Sequence, residues 1–245
     1  MGPDRGEDQA ALVAPRKKLT TRPNIIAPRT RPLLRTAACI VVHDCASAGK
    51  SMTAPTAGIP PELFARLAHP TVRLSGSIDE AAAALFLSQV LPVLDVPGSI
   101  VVELFSSGGD AEVGRRLAQE VRLLRQAHNR DMWFLGKTLV ASAAVTIMAG
   151  FPRDRRWLTR DTTLLIHGRR MIRTVHLEGP LGSCRRVLEE IIADIDNGLR
   201  VEDEGFAELI DGSAVSLDDV RRKSYGGWYL SAAQALELGL VAGLV

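Results

Sequence analysis

Val140-Ala141-Ser142-Ala143-Ala144 is the stretch on which the reading of this chain turns. It follows a strand-like segment, Asp131 to Leu135, and opens an apolar run that ends at Ala149-Gly150. A serine between a strand and a buried helix has two readings. It is a nucleophile presented at the helix N-terminus, or a small polar residue that caps the helix. The residues on either side weigh between them.

Upstream, Thr71 to Leu74 reads as a short strand, and Ser77-Ile78-Asp79-Glu80 has the form of a capping box before an apolar helix from Ala81 to Leu94. Ser99 to Phe105 is β-rich and mostly apolar, as a strand covered on both faces should be. After Ser106-Ser107-Gly108-Gly109, the residues Val113, Leu117, Val121 and Leu124 fall three or four apart and predict one apolar helix face. Downstream, Trp157 and Thr163 to Ile166 read as further strands, and Leu217 to Lys223 is compatible with a helix. Strands alternating with helices imply right-handed crossovers and an α/β layered domain. Val187, Leu188, Ile191, Ile192, Ile195 and Leu199, extended by Phe206, Leu209 and Ile210, form an apolar stripe too wide for one helix hairpin to bury. It packs on its own domain or on another subunit. Ser231-Ala232-Ala233-Gln234 has capping-box form and starts a helix stopped by Gly239.

The chain has 245 residues, is 46% apolar and 24% charged, and carries a formal net charge of +2. That composition supports a substantial core. Residues 1–51 hold nine Lys/Arg against four Asp/Glu, whereas the remainder holds 21 against 24. The folded part therefore has no reason to seek nucleic acid. Six prolines punctuate residues 1–58 without any sustained periodicity, so this span reads as a disordered or dispensable leader and residues 59–245 as the working domain, with Met52 opening the change in composition. Within the leader, Ala46-Ser47-Ala48-Gly49-Lys50-Ser51 resembles the end of a phosphate-binding loop, but Asp44 stands where the leading glycine belongs. Three cysteines, Cys39, Cys45 and Cys184, lack metal-ligand spacing, which argues for a reducing compartment; the expected location is cytoplasmic, with no metal or cofactor. No run approaches the roughly 18 apolar residues of a membrane span.

Serine catalysis needs a base within hydrogen-bond reach and amide donors for the oxyanion. His167 ends the strand Leu164-Leu165-Ile166, where a base can face a helix N-terminus, and the Gly108-Gly109 turn can bring its amides close to a substrate. The glycine-flanked elbow of α/β-hydrolases is excluded, because Val140 and Ala144 occupy its glycine positions.

From Phe64 to Val245 the chain resembles the proteolytic subunit of the Clp protease (ClpP), serine peptidases on the ClpP/crotonase fold. The resemblance lies in Phe64-Ala65-Arg66-Leu67, Val72 to Gly76, Ser106 to Gly109 with Gly114, Ala141-Ser142 with Ala149-Gly150, Ile166-His167-Gly168, Tyr229 to Ala235 and Gly239-Leu240-Val241. The 25-residue separation of Ser142 and His167 agrees with the family's spacing. The resemblance implies repeated βαβ units with a helical handle, and the stripe from Val187 to Ile210 falls where the handle belongs. It also implies Ser142 as nucleophile, His167 as general base, Gly109 and Ala143 as oxyanion-hole amides, and Gly108 at the edge of the substrate strand. A homo-oligomeric ring, peptide or unfolded-protein substrates and an ATP-dependent unfoldase would be the partners.

The departures from the pattern are specific. Lys223 stands where the triad's Asp is expected, and a lysine would oppose the imidazolium. Asp218 and Asp219 are the nearby candidates for a relocated acid; the alternative for Asp219 is an i,i+4 pair with Lys223. Two extra residues separate Gly136 from Ser142, Ala-Gly comes one residue early in the serine helix, and Ala242 replaces a terminal Asp. Three readings follow: an active serine endopeptidase, a ring subunit that has lost its acid, and crotonase-type acyl-CoA chemistry using carboxylates such as Asp110 and Glu112.

Overall fold

The structure is a computed structural model that describes residues 59–245. The leader reading of 1–58, the loop-like run 46–51, Cys39 and Cys45 lie outside the described residues. In chain order the elements are α1 (Pro61–Ala68), β1 (Val72–Ser75), α2 (Glu80–Val90), β2 (Ile100–Ser106), α3 (Ala111–Ala127), β3 (Met132–Ala141), α4 (Ala143–Ala149), β4 (Arg156–Leu158), β5 (Thr163–Ile166), α5 (Leu181–Ile210), α6 (Leu217–Ser224), β6 (Trp228–Ser231), α7 (Ala232–Glu237) and β7 (Gly243–Leu244). β1, β2, β3, β4 and β7 lie side by side in that order and run parallel. β5 adds in parallel to the far half of β3, and β6 closes antiparallel on β5.

Period-two alternation decides which side chain faces which layer. Ile100, Val102 and Leu104 of β2, with Met132 and Phe134 of β3, join the main core, where Phe86 of α2, Val113, Leu117 and Val121 of α3, and nearly all of α4 meet them. Val101, Trp133 and Leu135 face the other way and are covered by Leu67 of α1. The first half of β2 is thus apolar on both faces because both are packed there, whereas Glu103 is half-buried and Phe105 exposed farther along the second face.

Three expectations are corrected. The cap of α2 is Asp79, not Ser77: the Asp79 carboxylate accepts from Ala82 N at 3.0 Å. The helix cannot start earlier, because the Ile78 backbone is bound to the glycine turn. Ile78 N donates to Gly108 O at 2.9 Å, and its carbonyl accepts from Asp110 N at 2.7 Å. Strand β3 does not stop at Leu135 but runs to Ala141. Its register on β2 shifts from Leu104↔Gly136 to Ser106↔Val140, a bulge of two residues on β3 with Thr138 at φ 57°. The two additional residues between Gly136 and Ser142 are absorbed there, so the serine keeps its place. The apolar stripe belongs to one continuous helix, α5, rather than a helix hairpin. Val201, Phe206 and Leu209 anchor its last third in the core, while Val187, Leu188, Ile192, Ile195 and Leu199 are exposed.

A buried guanidinium locks that anchor. Arg156 is 3% exposed and donates to the carbonyls of Phe151 at 2.9 Å, Leu209 at 2.8 Å, Ala149 at 3.2 Å and Glu208 at 3.3 Å. These are carbonyls at the ends of α4 and α5, which have no partner within their own helices. Burial pulls the Arg156 guanidinium down to about 10, against the attraction of Asp211, and it remains charged at neutral pH.

Candidate active site

Strand β3 delivers the chain directly to Ser142, and α4 begins at the next residue. Ser142 has φ 55° and ψ −120°, a region that a residue with a β-carbon occupies only when its surroundings impose it. What imposes it is hydrogen bonding on both sides of the turn. Ser142 N donates to Leu165 O on β5 at 2.8 Å, and Ser142 O accepts from Val145 N at 2.9 Å. The side chain makes no capping bond. The cap reading is therefore corrected: cap residues sit in extended backbone with the side-chain oxygen over the first helical amides, and a positive φ removes it from them. A strained strand-to-helix turn presents the hydroxyl here without the glycines that α/β-hydrolases use.

Gly108 makes room for that hydroxyl. A β-carbon there would lie 2.7 Å from Ser142 Cβ and 3.2 Å from its Oγ. The backbone of Gly108 is already engaged, its N donating to Ser106 Oγ at 3.0 Å and its carbonyl accepting from Ile78 N. Gly109 presses still closer on the bridge residue before α2, since its β-carbon would fall 2.3 Å from Ile78 O. Asp110 then caps α3, accepting from Glu112 N at 2.7 Å and Val113 N at 3.1 Å. Among the described residues, Gly109 N and Ala143 N donate to no other group.

His167 follows β5. Its Nδ1 lies 2.7 Å from Gly168 O, and a carbonyl can only accept, so Nδ1 carries a proton and in the neutral ring the lone pair is on Nε2. Ser142, Ala143, Gly109 and His167 border one cavity of about 530 Å³. No hydrogen bond joins Ser142 and His167 among the described side chains, a looseness common before substrate binds.

The candidate acids go elsewhere. Lys223 places its ammonium 4.6 Å over the Trp228 ring. Asp218 pairs with Arg221 at 3.1 Å. Asp219 accepts from Arg222 and from Ser216 Oγ at 3.0 Å, and these bonds, Arg222 first, hold its carboxyl below the ordinary range. Its partner is therefore the i+3 arginine and not Lys223. None of the three borders the cavity.

Charged groups with no motif of their own surround the site. The Arg169 guanidinium donates through both terminal nitrogens to Glu112 Oε1 at 2.7 Å. The Arg169 backbone N donates to Glu202 of α5. Arg115 lies between Glu112 at 3.8 Å and Glu204 at 3.7 Å. The residues after His167 are thus held from α3 on one side and α5 on the other. No sequence signal marks Glu202, 35 residues beyond the histidine, because the contact depends on how α5 returns to the sheet.

No protein-family model matches the chain. Among curated proteins it is 28% identical over 176 residues to the ATP-dependent Clp protease proteolytic subunit 2 of Treponema pallidum (strain Nichols), covering 71% of this chain and 81% of that protein. It is 22% identical over 176 residues to the proteolytic subunit 3 of Rhizobium etli, covering 71% and 83%. Among solved structures it resembles a ClpP1 mutant from Listeria monocytogenes, with TM-score 0.58, 18% identity, and coverage of 75% of this chain and 95% of that one. At that identity the structural likeness carries the fold, which is α/β of the ClpP/crotonase kind. Sequence relatives and shared fold point the same way: the chain is similar to proteolytic subunits of the Clp protease and diverges far from them in sequence.

Proposed function

We propose that this protein is a serine endopeptidase that cleaves small or unfolded peptides inside an oligomeric ring. The observation that carries the reading is Ser142, held uncapped at φ 55° over the cavity it shares with His167. Strain of this kind costs about 1–3 kcal/mol, and a structural serine has no use for it. His167 Nε2 takes the hydroxyl proton as Oγ attacks the scissile carbonyl. The unpartnered Gly109 and Ala143 amides receive the oxyanion, and Gly108 leaves the approach to the serine open. The exposed apolar stripe of α5 supports association into a ring. The relatives' names include ATP dependence, and an ATP-dependent unfoldase is the partner we propose. No helix among the described residues is long and apolar enough to cross a membrane; a cytoplasmic site of action and a dispensable leader over 1–58 belong to the same proposal.

The second reading, a ring subunit without activity, draws on Lys223 at the acid's position. Crotonase-type chemistry loses support, because Asp110 caps α3 and Glu112 is paired with Arg169. The test is labelling with a fluorophosphonate probe. Label on Ser142 that disappears in His167→Ala supports the peptidase. Absence of label from intact rings, sized by mass photometry, selects the inactive subunit, and acyl-CoA binding selects the third reading.

A further inference from the structure

The peptide unit between Gly168 and Arg169 is hydrogen-bonded at both ends. Its carbonyl, Gly168 O, lies 2.7 Å from His167 Nδ1. Its amide, Arg169 N, donates to Glu202 Oε2. A carboxylate on the N–H of an amide polarises the group and makes its carbonyl a better acceptor. The imidazole is therefore joined to a carboxylate through one intervening peptide. We infer that Glu202 stands in for the missing triad acid, as a positioning residue that acts on His167 through the Gly168–Arg169 peptide.

Three further observations point the same way. Gly168 occupies the position after the base, and a β-carbon there would sit 3.0 Å from Glu202 Oε2 and 3.4 Å from Oε1. A β-carbon there would press on the carboxylate and push it off its present position. The residues on both sides of that peptide are also held, since the Arg169 guanidinium is bonded to Glu112 on α3 and Gly168 N, in the preceding peptide, donates to Ser224 O at the end of α6, at 3.4 Å. Glu202 also lines the cavity shared by Ser142 and His167, whereas Asp218, Asp219 and Lys223 do not. A carboxylate acting through a peptide performs both duties of a triad acid. It keeps the proton on Nδ1, and it stabilises the cation formed when Nε2 accepts the serine proton.

The inference rests on the peptidase reading, and its test separates the two. Full-length protein labelled with ¹⁵N-histidine reports the tautomer of each ring, the His167 signal being the one lost in His167→Ala. The wild-type ring is expected as the Nδ1–H tautomer. In Glu202→Ala, and in Gly168→Ala where the carboxylate is displaced but retained, the Nε2–H form should appear as well. Glu202→Gln keeps an acceptor for Arg169 N and loses the charge. It should retain the tautomer and its melting temperature, while kcat on a small fluorogenic peptide falls about tenfold at unchanged KM. A wild-type tautomer pattern in both alanine variants would overturn the role of Glu202, and so would full kcat in Glu202→Gln. If the wild type turns over no peptide while its tautomer responds to Glu202, the peptidase reading fails and the relay stands.

Discussion

Ser142 donates its backbone N–H to Leu165 O at 2.8 Å, so the turn that presents its hydroxyl is bonded to the strand that leads to His167. His167 stands two residues after Leu165, just past the end of that strand. The spacing of serine and histidine in three dimensions is thereby set by one β-ladder, β3 on β5, and not by loops. Loops would let the pair drift; a ladder holds it to the pitch of the sheet.

The strain at Ser142 is measurable. Ser142→Gly and Ser142→Ala both remove the hydroxyl, but only glycine accepts φ 55° with ψ −120° at little cost. Ser142→Gly is expected to be the more stable of the two by about 1 kcal/mol, net of the extra freedom glycine gains when unfolded. Urea unfolding of the two variants side by side checks this. Equal stability would remove the argument from strain.

Arg156 should be the most costly surface-to-core cation to lose. Arg156→Met fills much of the volume but leaves the carbonyls of Phe151, Leu209, Ala149 and Glu208 without their donors. A loss of about 3 kcal/mol or more is expected. Hydrogen exchange should rise first at 205–211, where Phe206 and Leu209 anchor the end of α5 in the core, while β1 and β2 stay protected.

Asp131 makes the fold sensitive to acid at the entry to β3. Burial pushes its carboxyl up, but hydrogen bonds from Arg155 at 2.8 Å, Trp133 Nε1 at 2.7 Å and Ser99 Oγ at 3.0 Å outweigh it and hold the group below its ordinary value. A carboxyl depressed in the folded state adds stability above its unfolded pKa, about 3.9, and that stability is lost as the pH falls through the folded value. Asp131→Asn should therefore be less stable than wild type at pH 7, by about 1 kcal/mol for so exposed a group, and the difference should shrink below about pH 4. Melting temperatures from pH 3 to 7 test the sign.

Restoring an acid at 223 should change little in the wild type. Lys223→Asp forfeits the contact with Trp228, about 0.5–1 kcal/mol. With His167 already held through Gly168, kcat on a small peptide should move by no more than about threefold. In a Glu202→Ala background the same change should recover activity, because α6 ends beside Gly168. A large gain in the wild type would mean that the base is poorly held as it stands.

Much of the fold is written in local pattern. The apolar run of β2, the three-and-four spacing of Val113, Leu117, Val121 and Leu124, and the Ser231–Gln234 capping box, complete in both directions, depend on neighbours a few residues away. The order and separation of Ser142 and His167 were legible for the same reason. What local pattern misjudged was decided by distant contacts. Ser77 has the letters of a cap, yet the bridge from Ile78 to Gly109 delays the helix to Asp79. The length of β3 depends on its two partners, β4 for one half and β5 for the other.

The chain by itself thus determined the layers and the order and separation of Ser142 and His167, because periodicity and spacing are properties of neighbouring residues. Tertiary structure alone decided the positive φ at Ser142, the diversion of Lys223 to Trp228, and the approach of Glu202 to the peptide beside His167. A backbone dihedral is imposed by hydrogen bonds from another strand, and a carboxylate 35 residues away becomes a neighbour only when Arg156 fixes the end of its helix against the core.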